Sequence, residues 1–466
     1  MTPADVIKLA QENNVKFIDL VFGDMFGALQ RWTLPATDIT ETLFEEGAPF
    51  DGSSIRGWKS IDKSDMLMMP DPTSAFIDPF RVHTTLTVFC SILEPRTGEL
   101  YERDARSIAE KAVKYLKSTG IGDTAFFGPE PEFFIFDSIS FSSEPSSAFY
   151  AIDSEEGWWT SGEEGGNGRV IQHGAGYSPA SPIDTQADLR NEISLNLHAM
   201  GVVTEVHHHE VAVGQSEIGT RFAEIVHAGD QVHKLKYAVK NTAAKYGKTA
   251  TFMPKPLFGD NGSGMHVHHS IFKDGENIFS GDLYADLSQE ALWAIGGVLK
   301  NAQAIQGFSN ASENSYRRLV PGYEAPTKLA YSATNRSASV RIPYVANPKG
   351  RRFEVRFPDS SGSAYLTFAA IMMASLEGIK NQIDPGAPAD KNIYDLPAEE
   401  LASIPSAAES LEAALAALDE GKDFLTAGGV FDEGMIQAYI EYKTENEVML
   451  LKLRPNPVEF QLYFDA

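Results

Sequence analysis

The sequence predicts an α+β protein in two parts, a small unit over residues 1–103 and a larger one over residues 104–466. Three observations carry this. At 466 residues the chain exceeds what one hydrophobic core sustains, since cores stop growing near about 250–300 residues. Strand-like alternation and helix-like three-to-four spacing are mixed along it, with no internal repeat. A turn cluster, Glu94-Pro-Arg-Thr-Gly-Glu99, precedes Asp104 at the head of an amphipathic segment and marks a boundary near residue 103.

In chain order, Thr2 caps a first helix, with Pro3 in its first turn and Asp5 completing a capping box. Strands follow at residues 15–22, 30–34 and 84–93, broken by glycine-containing loops. Asp104 opens a helix that Gly120 ends. In the larger part, apolar residues recur at helical spacing over residues 185–200, 217–246, 288–307, 363–384 and 431–449. Strands are expected at 133–136, 202–211, 263–272, 337–343 and 352–357, and the glycine-rich residues 162–168 form a flexible loop.

The 43 % hydrophobic and 22 % charged composition is that of a soluble globular protein. Cys90 is the single cysteine, which excludes an intramolecular disulfide and any cysteine-built metal cluster. The first residues have neither a basic nor an apolar leader region, and no apolar run reaches membrane-spanning length, so a cytoplasmic protein is expected. A formal net charge of −25 excludes nucleic acid and anionic membrane as partners. Between Arg317 and Arg356, however, nine basic residues face only Glu324 and Glu354, a net +7 that suits an anionic ligand.

Several strands carry polar side chains two residues apart, which places each pair on one face. Glu130 alternates with Glu132, His266 with His268 and Ser270, and Glu354 with Arg356, while Glu210 and Glu217 follow the run His207–His209. A merely wet sheet face is usually rich in Lys and Thr, whereas these faces carry Glu, His and Arg beside large apolar neighbours. Five converging glutamates need cations, because two carboxylates about 5 Å apart repel by roughly 3 kcal/mol at an effective dielectric near 20. Oxygen donors with an imidazole and no thiolate suit Mg²⁺ or Mn²⁺, and two such ions beside an arginine cluster suit phosphoryl transfer. The three adjacent histidines read as supports for Glu210, since only alternate rings on a strand share a face. Two other motifs fail. Gly247-Lys248-Thr249 lacks the first glycine of a phosphate loop, where Thr242 stands, and Gly174-Ala-Gly176 is followed by Pro179.

Six blocks then occur in order: Phe50-Asp51-Gly-Ser-Ser-Ile55, Gly128-Pro-Glu-Pro-Glu132, Asn261-Gly-Ser-Gly-Met-His266, Leu319-Val-Pro-Gly-Tyr-Glu-Ala-Pro326, Asn335-Arg-Ser-Ala-Ser339 and Phe353-Glu-Val-Arg-Phe-Pro-Asp359. Together they resemble the signature blocks of the bacterial type I glutamine synthetase family. The resemblance implies a β-grasp N-terminal domain, and a catalytic domain whose strands form a metal-lined funnel. It also implies a homo-dodecamer of two stacked rings with active sites shared between neighbouring subunits. By match, Glu132, Glu210 and Glu217 hold one metal ion and Glu130, His266 and Glu354 the other. Asn261, Gly262, Arg318, Glu324 and Arg356 match glutamate-binding positions, and Glu205, His268, Ser270, Arg341 and Lys349 match ATP-binding ones.

In the implied reaction, the glutamate γ-carboxylate attacks the γ-phosphorus of ATP, with Arg336 and the metals on the transferring group. Ammonium then gives a proton to Asp51 of the adjacent subunit, and Glu324 closes the site on a flap. Tyr394 matches a tyrosine that an adenylyltransferase modifies, and the apolar residues 457–464 match a segment that ties the two rings together. Arg56 departs from the family, standing where a smaller residue is expected. Ala223 replaces a polar residue near the nucleotide pocket, and Glu210 and Glu217 are spaced seven apart, one fewer than in some members. The competing readings are a sister ligase for a larger amine such as a polyamine, a phosphagen-kinase-like phosphotransferase, and a non-catalytic assembly protein. The matched Asp51, Glu324 and Tyr394 disfavour the first, the Asp51 loop the second, and the filled ligand positions the third.

Overall fold

The computed structural model describes residues 1–58, 64–162, 168–391 and 397–466. Tyr394 lies outside these residues, as does 163–167 of the loop expected at 162–168. The first helix, α1 (Pro3–Glu12), forms with its capping box: Thr2 accepts from the Asp5 amide while Asp5 accepts from the Thr2 amide.

The small domain is one sheet. Its strands are β1 (Phe17–Gly23), β2 (Leu29–Pro35), β3 (Ala48–Asp51), β4 (Asp65–Pro70), β5 (Phe76–Ile77) and β6 (Thr85–Leu93), with the short helix α2 (Glu41–Glu46) between β2 and β3. The order is β2-β1-β6-β4-β3, with β5 beside β6; β1 and β6 run parallel and the other pairs antiparallel. All but the last residue of β6 are buried, which explains why it reads as a continuous apolar run instead of alternating. β3 lies at the edge and ends on Asp51. Sequence periodicity did not reveal β3 or β4: β3 is four residues long and contains Pro49, so its strand character comes from pairing with β4.

Arg56, which follows the Asp51 turn, is anchored. Its Nη2 lies 2.7 Å from Asp24 Oδ2, and Asp24 is fully buried, also accepting from the Phe26 and Ala28 amides. Arg56 therefore pins the Asp51 loop to the β1–β2 turn.

The helix α3 (Ala105–Thr119) opens the larger domain, capped by Asp104 and closed by Gly120 at φ 70°. The second sheet is built from β7 (Thr124–Phe136), β10 (Thr204–His209), β11 (Gln215–Thr220), β14 (Met265–Lys273), β16 (Lys328–Ser332), β17 (Ala338–Arg341) and β18 (Phe353–Val355), in the order β10-β11-β7-β14-β18-β17-β16. The short β12 (Ala223–Glu224) and β13 (Thr249–Thr251) pair with β7, and β15 (Glu276–Asn277) with β14; β8 (Ser138–Glu144) and β9 (Ser147–Asp153) form a separate hairpin. Helices α4 (Ala187–Ala199), α5 (Ile225–Lys245), α6 (Gln289–Lys300), α7 (Ala302–Ser309), α8 (Ser315–Arg318) and α9 (Ala364–Asn381) complete its core, and shorter helices follow to the C-terminus.

Two helical expectations change. Residues 217–246 are not one helix: Glu217 lies on β11 and the helix begins at Ile225. Hydrogen bonding to β10 on one side and β7 on the other holds that stretch extended. Residues 288–307 are two helices that meet at Asn301.

Buried almost throughout, α9 crosses α6 at a pair of glycines. A Cβ on Gly297 would lie 2.0 Å from the Ala374 carbonyl oxygen, and one on Gly378 would lie 2.1 Å from that of Trp293. Gly297→Ala is therefore expected to cost about 2–3 kcal/mol by forcing the helices apart, read as a lower thermal midpoint and less soluble protein. The same change at Gly386, where nothing lies within 4 Å but φ is 77°, isolates backbone strain from crowding and should cost less.

Candidate active site

Six strands bring the expected residues onto one face of the large sheet. Directly opposed residues in antiparallel strands share a face. Here His208 opposes Glu217, Glu217 opposes Glu132, Glu130 opposes His266, and Glu354 opposes both His268 and Arg341. Period-two alternation then places Glu130 with Glu132, His266 with His268 and Glu354 with Arg356 along each strand. The result is a continuous row of acid and imidazole ending in arginine.

Two groups in this row converge within metal-binding reach. In one, ligand atoms of Glu130, His268 and Glu354 all lie within 4.8 Å of one another; in the other, those of His208, Glu210 and Glu217 do. His266, the expected partner of Glu130 and Glu354, is also there, its Nδ1 3.6 Å from Glu354 Oε1 and 4.0 Å from Glu130 Oε2. Glu132, expected with Glu210 and Glu217, instead accepts from Gln215 Nε2 at 2.9 Å and the Gly264 amide at 3.1 Å. It remains opposite Glu217, so the three carboxylates still act on one another.

The electrostatics separate the two ends of the row. Burial and the charges of Glu132, Glu130, Glu210 and Glu354 push Glu217 up to about 10. Burial and Glu132 push Glu210 up to about 8, and burial raises Glu132 as well. A carboxylate that resists ionisation this strongly is short of positive charge. At the other end, burial alone would raise Glu354, but the positive charges around it, the Arg356 and Arg341 guanidiniums among them, hold it down to about 2. Its oxygens lie 2.9 Å from Arg341 Nη1 and 2.6 Å from Arg356 Nη1. His266 is driven well below its ordinary value, first by burial and then by Arg356, and so is neutral and fit to ligate.

The donor set fits a hard divalent cation: carboxylate oxygens with imidazole, and no thiolate, since Cys90 is buried on β6 of the small domain.

Around the row, Glu324 and Arg336 both act electrostatically on Glu210. Glu324 holds φ at 59°, a left-handed conformation unusual for a side chain of its size and sustained here in the turn over residues 321–324. Next to it, the Tyr323 ring packs under Lys255 Nζ at 3.8 Å. Arg318 is buried, with its guanidinium donating to the carbonyls of Phe357, Pro358 and Arg356 at 2.9, 3.2 and 3.1 Å. Gly262 and Gly264 leave room for it, since a Cβ on Gly264 would lie 2.5 Å from Arg318 Nη2. Asn261 precedes these glycines and is half-buried. Ser270 continues the His266–His268 face, Glu205 lies exposed on β10 with Arg221 3.5 Å away, and Lys349 is exposed in the turn before β18.

Asp51 is the exception. Fully exposed, among the described residues it accepts only within its own loop, from the Ser53 amide at 2.8 Å and the Ser53 hydroxyl at 2.6 Å. Those two bonds, the hydroxyl's first, hold it below the usual carboxylate range.

Three supporting residues escaped the sequence reading. Arg352 Nε donates to His268 Nδ1 at 3.1 Å, which leaves Nε2, 3.0 Å from Glu130 Oε1, as the protonated ring nitrogen. Gln215 bridges Glu132, the Gly262 carbonyl and the Ser263 hydroxyl. Beneath Glu210, the fully buried Glu156 pairs with His209 at 3.0 Å. Gln215 alternates with Glu217, and Arg352 lies in the basic stretch, so both left a signal; Glu156 left none, although its partner His209 is among the three histidines expected to support Glu210.

A sheet face that gathers carboxylates, neutral imidazoles and arginines defines an enzyme that uses divalent cations on anionic substrates. The family model for the glutamine synthetase β-grasp domain matches residues 14–95, and that for the glutamine synthetase catalytic domain matches residues 102–463. The chain belongs to the glutamine synthetase family and is an ATP- and metal-binding ligase. It is 55 % identical to the glutamine synthetase of Methylococcus capsulatus over 100 % of both chains, and 54 % identical to that of Salmonella typhimurium over 100 % of both. It is also 55 % identical to a 3-hydroxylaminophenol mutase of Cupriavidus pinatubonensis, over 99 % of this chain and 98 % of that one. Among solved structures, a Plasmodium falciparum glutamine synthetase superposes with a TM-score of 0.89 at 27 % identity, covering 99 % of each chain. A GmaS/ADP complex superposes with a TM-score of 0.83 at 26 % identity, covering 99 % of this chain and 100 % of that one. No helix among the described residues is long and apolar enough to cross a membrane.

Proposed function

We propose that this chain ligates L-glutamate and ammonium to L-glutamine at the expense of ATP, through γ-glutamyl phosphate. The observation that carries this reading is the row from His208 to Arg356 on one sheet face, with acid at one end and arginine at the other. Divalent cations, Mg²⁺ or Mn²⁺, would be held by Glu132, Glu210 and Glu217 and by Glu130, His266 and Glu354, with His208 and His268 beside them, and would neutralise phosphate charge.

The chain's own residues do the rest. Arg356 and Arg318 face the glutamate carboxylates with Asn261 and Gly262, and Glu324 takes the ammonium group. Glu205, His268, Ser270, Arg341 and Lys349 seat the nucleotide. A γ-carboxylate oxygen bonds to the γ-phosphorus as the bond to the β–γ bridging oxygen breaks and ADP leaves, with Arg336 on the transferring oxygens. Ammonium gives one proton to Asp51; the ammonia so formed bonds to the acyl carbon as the bond to the phosphate oxygen breaks, and the departing phosphate takes the second proton. Among the described residues the Asp51 side chain bonds only within its own loop, at the end of an edge strand, which suits a residue offered to a neighbouring subunit's site. The Glu324 turn closes the site, since water would hydrolyse the acyl phosphate.

The same reading assigns residues 1–103 and 104–466 as the two domains, a cytoplasmic location, and a dodecamer. The dodecamer is supported by the exposed Val458, Phe460, Leu462, Tyr463 and Phe464 of the last helix, a face too apolar for a free end. Tyr394 would be the target of an adenylyltransferase.

The test measures phosphate release and products by purified protein with ATP, Mg²⁺ and glutamate. It is run with ammonium, a polyamine or no amine, with 3-hydroxylaminophenol as a separate substrate. Ammonium-dependent release with equimolar glutamine supports the assignment. Release independent of ammonium, a preference for the larger amine, or isomerisation alone overturns it. Asp51→Asn, which keeps the turn's shape but loses its charge, is expected to lower glutamine formation by about 10²-fold, with unchanged assembly by size-exclusion chromatography.

A further inference from the structure

A cavity of about 330 Å³ lies between the small-domain sheet and α5, and none of its lining residues belongs to the row described above. Pockets of roughly 300–1,000 Å³ at domain boundaries are the usual setting for small ligands. Register places Asp19 beside Thr87 and Val21 beside Phe89 on β1 and β6, and Thr87 opposite Phe76 on β5, so one sheet face forms the floor. Lys234 and Tyr237 of α5 form the roof.

Val21, Leu29, Phe76, Phe89 and Met200 give the chamber its apolar surface, and the polar groups among them are incompletely matched. Lys234 Nζ donates to the carbonyls of Ser74 at 3.3 Å and Met200 at 3.0 Å, and stands 4.6 Å over the Phe76 ring. Among the described residues no carboxylate pairs with it. Burial holds this ammonium down to about 8, which leaves it largely charged at neutral pH. Thr87 is 5 % exposed, and its hydroxyl oxygen has no hydrogen-bond partner among the described residues, an arrangement that ordinarily costs about 1–3 kcal/mol.

The two acids present are engaged elsewhere. Asp78 accepts from the Tyr237 hydroxyl and the Phe80 amide, both at 2.8 Å. One oxygen of Asp19 faces both Arg31 at 3.5 Å and Arg81 at 3.7 Å, longer than charge-assisted hydrogen bonds. Two lining cations, Lys234 and Arg31, thus meet two lining carboxylates that are already engaged, with Arg81 beside Asp19 and with Asp230 and Asp71 acting on Lys234 from outside the chamber. We infer that this interdomain cavity binds a small amphipathic carboxylate, its charged end at Lys234 and Thr87 and its apolar body against Val21, Phe76 and Phe89.

The test is isothermal titration of the full-length, assembled protein with 4-methylpentanoate, its neutral amide and L-leucine. The acid is expected to bind at least tenfold more tightly than the amide. Thr87→Val should weaken it severalfold, Lys234→Met should abolish it, and Glu354→Ala, in the other site, should leave it unchanged. Thr87→Val only exchanges a hydroxyl for a methyl, so it keeps the test valid where Lys234→Met fails to fold. Leucine binding as tightly as the acid supports the inference with amino acids as the source, and leucine failing while the acid binds supports it with simple acids. Equal affinity for acid and amide, no binding by the unaltered protein, or binding lost in Glu354→Ala but kept in Thr87→Val overturns it.

Discussion

Glu354→Ala is expected to lower ammonium-dependent phosphate release by about a thousandfold, roughly 4 kcal/mol of transition-state stabilisation. The carboxylate is 1 % exposed and bonded to Arg341 and Arg356, with His266 at 3.6 Å. Removing it takes a ligand from the metal-binding group and leaves two guanidiniums without their shared partner. Glu354→Gln preserves volume and part of the hydrogen bonding, so its loss of activity with an intact fold would isolate the charge. Activity within tenfold of the unaltered protein in both variants would refute the role. Because the fold holds Glu354 at about 2 against an ordinary 4.5, its contribution to stability is present above pH 4.5 and lost as pH falls towards 2.

Chelation should abolish activity and also change how stability depends on pH. Glu217 and Glu210 are pushed from 4.5 to about 10 and about 8, so without metal the folded protein keeps protons that the unfolded chain has released. Each such group then lowers stability by about 1.4 kcal/mol per pH unit above pH 4.5, until its folded value is passed. The thermal midpoint of chelated protein is therefore expected to fall between pH 6 and pH 9. Mg²⁺ should raise it more at pH 8 than at pH 6, releasing protons as it binds. Glu217→Gln should be more stable than the unaltered protein when both are chelated at pH 8, and nearly inactive. Parallel pH profiles with and without Mg²⁺ would show that these carboxylates do not hold the ion.

Much of this was legible in the sequence because it is local. Thr2 and Asp5 cap α1 as expected, and Asp104 and Gly120 bound α3. Glu130 with Glu132, His266 with His268, and Glu354 with Arg356 share a face because a strand's period is two wherever the strand sits. What failed depended on segments distant in the chain. The stretch from Glu217 reads as the start of a helix, and only its two neighbouring strands hold it extended. Arg56 stands where a smaller residue is expected, and the structure makes it the tie between the Asp51 loop and the buried Asp24.

The sequence by itself determined which residue types carry the chemistry, which of them face the same way along each strand, and where the charge of an acidic chain inverts. Only the tertiary structure decided who meets whom. It set His208 with Glu210 and Glu217, Gln215 on Glu132, and Arg352 on His268 across 84 residues of chain. It also placed Glu156 under His209 and opened a chamber between Thr87 and Lys234. The reason is physical: side-chain direction follows from backbone geometry within a few residues, whereas strand order and register depend on hydrogen bonds and packing between distant segments, which no local pattern encodes.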